Sequence, residues 1–437
     1  MLKLRSVDDF NVYSTASMLV REGQGKLIYA GADTGADPQL VFADPHGVFQ
    51  KRATERGIGP VRMYVYPPLL ADLFVPFTYF SVRHGTELWL LATVAALVLS
   101  GSLLLKMLHV PWKSTAGLAM LIGLFGLSAT AQTLVWGQIA IMLLLLWTAG
   151  LFLYQRNLMA ASALVMALGT SIKLTPLIVV VPMLVWKQWR WLSWFAGWMV
   201  ALLGVTYVIN GPETIADFYL HVAPAMSAGV PHMQNHTILA LVERLYLTFH
   251  GDMLLDGPPF VHAAVPHFVS MLGKFIAAIL VVAATAVLLW RGRSLDKDGQ
   301  LRVMAAFAAL SLPLAPVSWV HAYVLLVPAL TFLWRDALLG LLTRTQVVLL
   351  TVCWIETSAV LSHGLAQKMH SSPVRGVLSL AVPLATLVLC ALILWDGTRP
   401  MWWNGASRRN AERADLREDQ AEKMEAFVFR PTAGQAG

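Results

Sequence analysis

Two carboxylates, three cations and two side-chain amides stand out against a largely apolar chain. Asp9 heads the stretch Asp9-Phe-Asn-Val-Tyr13, Arg62 precedes Tyr64-Val-Tyr66-Pro67-Pro68, and Asp72 follows within the next apolar run. Further on, Gln138 comes after Gly137, Lys173 lies inside Ser171-Ile-Lys-Leu-Thr-Pro176, and Asn235 opens Asn235-His-Thr237; Trp319 and His321 close Ala315-Pro-Val-Ser-Trp-Val-His321. A carboxylate can take the proton of a hydroxyl nucleophile. Lys, Arg and His neutralise a phosphate at short range, and amides hydrogen-bond neutral hydroxyls. Such chemistry requires the stretches to meet on one surface.

Each residue also has an ordinary use. Asp8 or Asp9, in front of Phe10 to Val20, suits a helix N-cap. Lys173, between two apolar runs, suits an interfacial lysine that snorkels to water. His321 beside Trp319 reads equally as an interfacial belt pair, Arg62 as loop packing, and Gln138 and Asn235 as helix caps. Asp72 is an acid at membrane depth, which is a functional candidate by default, although it suits a water-filled cleft without a role as well. Glu356, deep in an apolar run, reads as a hydrogen-bond partner inside the bundle.

The elements that must position these residues are membrane helices. The 437 residues are 57% hydrophobic and only 13% charged, with 15 charged side chains before Tyr66 and 14 after Trp395, so the middle has the composition of a chain in lipid. Sixteen Trp fit interfacial anchoring, and a net charge of +7 fits cytoplasmic loops against anionic lipid rather than nucleic acid. Cys353 and Cys390 lie in apolar runs with no metal-ligand spacing, so neither a disulfide framework nor a structural metal is expected. Apolar runs fall near 86–105, 114–131, 137–154, 158–172, 174–187, 190–209, 267–290, 302–316, 320–334, 346–362 and 375–395. Several are shorter than the ~17 to 25 residues of a lipid-facing helix.

Lys106, Lys113, Arg156, Lys187, Arg190, Arg291, Arg293, Lys297, Arg335 and Arg344 fall on one side, which should be cytoplasmic. The expected fold is therefore an all-α polytopic membrane protein. Residues 1–66 form an outer-face loop with the acidic motif, and 67–85, with Pro67, Pro68 and Pro76, a re-entrant piece or short span. Residues 86–395 form a transmembrane bundle of about eleven helices with an outer loop at 210–266, and 396–437 a cytoplasmic tail. The first residues hold no apolar run, so no signal peptide and no span are expected ahead of the acidic motif.

In order and spacing these motifs resemble glycosyltransferase family 87, the polyprenyl-phosphate-sugar-dependent transferases of the GT-C superfamily, over about Asp9 to Leu333. The acidic Phe-x-Val-Tyr pattern resembles Asp9 to Tyr13, the Tyr-Pro-Pro pattern Tyr66 to Pro68, and the Gly-Gln pattern Gly137 and Gln138. The Lys-Leu-Thr-Pro turn resembles Lys173 to Pro176. An Asn-Gln-Ser stretch is similar to Asn235 to Thr237, with Arg244 following, and a Ser-Pro-x-Ser-Trp-x-His-His stretch resembles Ala315 to His321, with Ala322 in place of the second His. The resemblance also places a transmembrane helix ahead of the acidic motif; the expectation is that either the start was assigned too late, the favoured reading, or the copy is truncated and inactive.

The resemblance implies a GT-C-like bundle with an outer-face catalytic loop. It implies Asp9 as general base, with Asp72 as the alternative; Lys173, His321 and Arg62 for the donor phosphate; and Tyr13, Tyr66, Gln138, Asn235 and Trp319 for substrate. The expectation is that the chain holds no Asp-x-Asp stretch anywhere, and therefore no metal and no other cofactor. The implied function is a hexosyltransferase of the plasma (inner) membrane that moves a hexose, most plausibly mannose, with inversion from a polyprenyl-phosphate donor to a lipid or glycan acceptor. The rivals are a catalytically inactive scaffold subunit, favoured by Ala322, and a lipid-linked sugar transporter. A transporter should spread polar residues through the bilayer depth and carry repeats, whereas here they gather on one face.

Overall fold

The computed structural model describes residues 8–29, 47–59, 61–250, 265–292, 295–359, 365 and 377–397. Among them no strand occurs, only an isolated antiparallel bridge between Asn235 and Trp319. The protein is all-α. Arg293 and the expected tail beyond Gly397 lie outside the described residues, as does 251–264 of the expected outer loop.

Before the bundle come α1 (Asp8–Arg21), α2 (Val48–Glu55) and α3 (Pro68–Phe74). Pro68 starts α3 where a missing N–H costs nothing, and a 3-10 turn, Val75–Tyr79, continues it past Pro76. Seven residues of α-helix span only about 10 Å, far less than a bilayer core. Helix α1 is buried along nearly its whole length, with Phe10 against Phe74 and Phe77 at 6.2 and 6.3 Å and Tyr13 against Phe74 at 5.0 Å. Arg21 ties its far end to the Thr78 carbonyl at 2.6 Å.

The bundle comprises α4 (Val82–Met107), α5 (Thr115–Phe125), α6 (Ser128–Trp136), α7 (Ala140–Gln155), α8 (Met159–Ile172), α9 (Val180–Val185), α10 (Trp189–Asp217), α11 (Ala223–Met226), α12 (Ile238–Phe249), α13 (His267–Arg291), α14 (Lys297–Leu314), α15 (Val327–Leu338), α16 (Arg344–Ala359) and α17 (Ala381–Gly397). Among the described residues, three stretches are long and apolar enough to cross a membrane: Val82–Met107, Trp189–Met226 and His267–Arg291. A fourth is added if α5 and α6, bent by 51°, form one broken span. Four of the remaining expected runs appear as shorter apolar helices: Ala140–Gln155, Met159–Ile172, Thr175–Val185 and Ala381–Trp395.

Small residues set the helix contacts, as in lipid-embedded bundles. A side chain on Gly150 would sit 2.6 Å from Met166, so α7 and α8 approach closely, and Ser162 caps the contact by donating to the Gly150 carbonyl at 2.9 Å. Trp191 of α10 donates to that same Ser162 at 3.1 Å. Hydroxyls inside apolar helices are satisfied by carbonyls four residues back, such as Thr93 on Trp89 and Ser100 on Ala96.

Two of the boundaries that differ from the sequence reading have a local cause. Helix α10 runs on to Asp217, past the expected end at 209, but it is kinked at Gly211 (φ 83°), where Pro212 cannot donate to the helical ladder. Helix α14 begins at Lys297 rather than 302, because Asp296 caps it by accepting from the Gly299 N–H at 2.9 Å. Asp296-Lys297-Asp298 does spell an Asp-x-Asp spacing. Its second acid, however, is engaged by Arg302 at 2.7 Å and Arg335 at 3.2 Å. This cluster sits at the opposite end of the 18-residue α14 from Ala315, about 27 Å away.

Candidate functional site

The centre of the site is Gln138. Helix α6 ends on Gly137 in the left-handed region (φ 66°), a conformation that favours glycine. The turn is pinned by the Gln138 N–H on the Thr133 carbonyl at 2.9 Å and by the Trp89 indole on the Gly137 carbonyl at 2.8 Å. The reversal sends the Gln138 side chain inward, where only 4% of the residue is exposed. Its carbonyl oxygen accepts from both Tyr13 and Tyr66 hydroxyls at 3.1 Å. Its amide N–H donates to the Asp9 carboxylate.

Asp9 is half-buried in the first turn of α1. Burial pushes its carboxyl up from 3.8 to about 6, and neighbouring Asp8 adds to the rise; the Gln138 hydrogen bond and the charges of Arg62 and Lys173 pull the other way. The result is a carboxylate that is ionised at neutral pH yet basic enough to accept a proton, which is what general-base chemistry needs.

Asp9 opens onto a cavity of about 110 Å³ that is also lined by Arg62, Tyr66, Gln138, Trp319 and His321. The structure thus brings together five of the singled-out residues around Asp9, drawn from α1, the segment before α3, the α6–α7 turn and the segment before α15. Tyr13 lies just behind the wall, holding Gln138. Lys173, at the extended end of α8, is within electrostatic reach of both Asp9 and His321. His321 is buried at 6% exposure, and its Nε2 has no hydrogen-bond partner among the described residues.

Two singled-out residues stand apart. Asp72 accepts from the Asn210 amide at 2.6 Å, beside the α10 kink, and does not line the Asp9 cavity. Asn235 is fully buried with its amide spent inside the protein: it donates to the Val230 carbonyl at 2.9 Å and the Pro316 carbonyl at 3.4 Å and accepts from the Ser318 N–H at 2.8 Å. Ala322, where the resembled motif has a second His, is buried behind the Trp319 turn.

Three polar or aromatic lining residues were not singled out from the sequence: Gln132, Trp136 and Gln234. Gln132 and Trp136 are one helical turn apart on α6, so they share a face, and their proximity to Gly137-Gln138 was the available signal. Among the described residues no group of three or more His, Cys, Asp or Glu is arranged to hold a metal ion.

The chain is 25% identical, over 283 residues, to a polyprenol-phosphate-mannose-dependent alpha-(1-2)-phosphatidylinositol pentamannoside mannosyltransferase of Mycolicibacterium smegmatis; the match covers 64% of this chain and 62% of that protein. It is 24% identical over 273 residues to the protein of the same description from Mycobacterium tuberculosis, covering 62% and 58% respectively. The chain therefore spans about 60% of the length of these curated relatives. The profile of glycosyltransferase family 87 matches residues 64–316. That range is narrower than the motif resemblance, so Asp9, Tyr13, Arg62, Trp319 and His321 fall outside it and join the matched Tyr66, Gln138 and Lys173 through the fold alone. With more than half of its length matched, the chain belongs to glycosyltransferase family 87.

Proposed function

We propose that this protein is a multi-pass hexosyltransferase of the plasma membrane that moves mannose from a polyprenyl-phosphate donor to a lipid or glycan acceptor at the outer face. The observation that carries the reading is the meeting of Asp9, positioned by Gln138, with Arg62 and His321 around one cavity and with Lys173 in electrostatic reach. Family membership supplies the reaction class, and the curated relatives' dependence on polyprenol-phosphate-mannose supports the donor.

In the proposed step the acceptor oxygen forms a bond to the anomeric carbon as the bond from that carbon to the phosphate oxygen breaks. Asp9 takes the acceptor proton, and the electron pair leaves with the polyprenyl phosphate. Lys173, His321 and Arg62 stabilise the charge that builds on the phosphate; Tyr66, Gln138 and Trp319 contact the sugar or acceptor. Attack opposite the leaving group inverts the anomeric centre, and the step uses no metal ion. The one-sided distribution of Lys and Arg in the short connections supports an outer-face cavity.

The test is transfer of label from synthetic polyprenyl-phosphate-[14C]mannose into glycolipid or glycan by the full chain in proteoliposomes, with and without EDTA. EDTA-insensitive transfer that Asp9→Asn abolishes is expected. Use of a nucleotide-sugar donor alone, or passage of intact donor across the bilayer without transfer, would overturn the reading.

A further inference from the structure

Arg244 on α12 is a fully buried guanidinium that no part of the cavity wall includes. Its Nη1 donates to two carbonyls, His232 at 2.7 Å and Asn235 at 2.6 Å, and its Nε donates to the Ser379 hydroxyl at 3.1 Å. The His232 carbonyl also accepts from the Asn235 N–H at 2.9 Å, so the guanidinium closes a turn that this backbone hydrogen bond already forms. A buried cation must find such acceptors, because an unmatched charge away from water is strongly destabilised.

The turn that Arg244 gathers is the one that holds the cavity segment. Asn235 uses its side chain on the Pro316 carbonyl and the Ser318 N–H, and its backbone bridges Trp319. Next to it, the His236 N–H donates to the Ser318 carbonyl at 2.9 Å, and the Tyr323 hydroxyl donates to the His236 carbonyl at 2.6 Å. The His232 ring meets the Trp319 ring edge-on at 5.4 Å. Residues 316–323 thus hang on residues 232–236, and those hang on Arg244. At the far end of this chain of bonds are Trp319 and His321, both in the cavity wall.

We infer that Arg244 is a positioning residue for donor use: by clamping the His232 and Asn235 carbonyls it sets, through Asn235, the placement of Trp319 and His321. The inference rests on the functional reading above for its kinetic consequence, but not for its structural one. Glu243, beside it on α12, accepts from Ser270 on α13 at 2.8 Å and acts on Arg244 through its charge, not through a hydrogen bond of the clamp. The clamp is therefore the guanidinium's own.

The experiment compares Arg244→Met, Asn235→Ala and the double variant in the full chain in nanodiscs. It measures donor KM and kcat, and hydrogen–deuterium exchange along the sequence. Both single variants should raise donor KM by roughly tenfold or more with a smaller change in kcat, and the double variant should be no worse than the poorer single one. Arg244→Met paired with Gln138→Leu, whose side chain shares no hydrogen bond with the clamp, should instead be additive. Exchange should quicken at 230–237 and 315–323 and stay as in the wild type along α4. Should Arg244→Met not fold, Arg244→Lys, which keeps the charge but presents one ammonium to three acceptors, carries the same measurements. An additive Arg244/Asn235 pair, or unchanged exchange at 315–323, would overturn the inference. A wild-type chain that transfers no mannose would sink the functional reading, while the exchange measurement still decides the positioning role.

Discussion

The Gln138 side-chain N–H is directed at the Asp9 carboxylate because its carbonyl oxygen is held by the hydroxyls of Tyr13 and Tyr66. A carbonyl oxygen accepts and cannot donate, so the amide has only one orientation that suits all three neighbours. Replacing Gln138 by Leu removes the donor that stabilises the ionised Asp9 and frees two buried hydroxyls. The acidic limb of the pH profile should move to higher pH, and turnover at neutral pH should fall by about tenfold. Gln138→Glu should move the limb further in the same direction, since it sets a second carboxylate beside the first. A limb that stays put in both variants would detach Gln138 from the base.

Asp9 itself couples pH to stability and to activity in opposite senses. The folded carboxyl titrates near 6 and the unfolded one near 3.8, so the folded chain holds the proton more tightly and loses stability as pH rises from about 4 to 6. Activity runs the opposite way, because only the ionised group accepts a proton. Transfer should fall about tenfold per pH unit below 6. Asp9→Asn keeps size and hydrogen-bonding capacity while deleting both effects. It should lower turnover by roughly 10²- to 10⁴-fold and leave the thermal midpoint at neutral pH equal or higher. A clear loss of midpoint with retained transfer would mean that Asp9 serves only the start of α1.

Asp72 is expected to behave differently. It joins α3 to the kinked α10 through Asn210, so Asp72→Ala should lower the melting midpoint with an effect on kcat of less than about tenfold, consistent with loss of one hydrogen bond near 1 kcal/mol. Turnover abolished in Asp72→Asn but retained in Asp9→Asn would transfer the base assignment to Asp72.

What the sequence could and could not announce follows from the kind of information each residue carries. Gly137-Gln138 was legible as a pair because a glycine that ends a helix and a polar residue that turns inward are both local properties. Lys173 and His321 were legible as cations or potential cations in apolar surroundings, but their common approach to Asp9 depends on how α8 and the segment before α15 pack. Asn235 looked like a free amide for hydroxyls, whereas its hydrogen bonds go to Val230, Pro316 and Ser318; the last two, more than 80 residues away, cannot be read from spacing. Gln132 and Gln234 were missed because one glutamine at a helix face or in a turn has no signature until the opposing wall is known. The α10 kink was written in Gly211-Pro212, yet hydropathy alone ended the helix there.

Topology is testable without any substrate. Single cysteines at Glu55 and at Lys187, in a background where the buried Cys353 and Cys390 are replaced by Ser, should react on opposite sides of the membrane. A membrane-impermeant maleimide added to intact cells should label position 55 and not 187. Labelling of 187 from outside would invert the outer-face assignment of the cavity.

Lys173 and His321 make the last prediction, because they lie within electrostatic reach of each other from different segments, although only His321 lines the cavity. Lys173 is fixed at the end of α8 by its N–H on the Gly169 carbonyl at 3.0 Å; His321 is fixed through its carbonyl, which accepts from Thr133 at 3.3 Å. The latter leaves its Nε2 unspent among the described residues. If both hold the donor phosphate, Lys173→Gln and His321→Gln should each raise donor KM at least tenfold, while the acceptor KM changes little. Removing a charge that acts only as phosphate accumulates electrons should lower kcat as well, and Lys173 is the one expected to do so. The double variant should lose less than the sum of the two free energies, since one phosphate cannot be abandoned twice. Strict additivity, with the loss falling on acceptor KM, would instead place the two residues at separate sites.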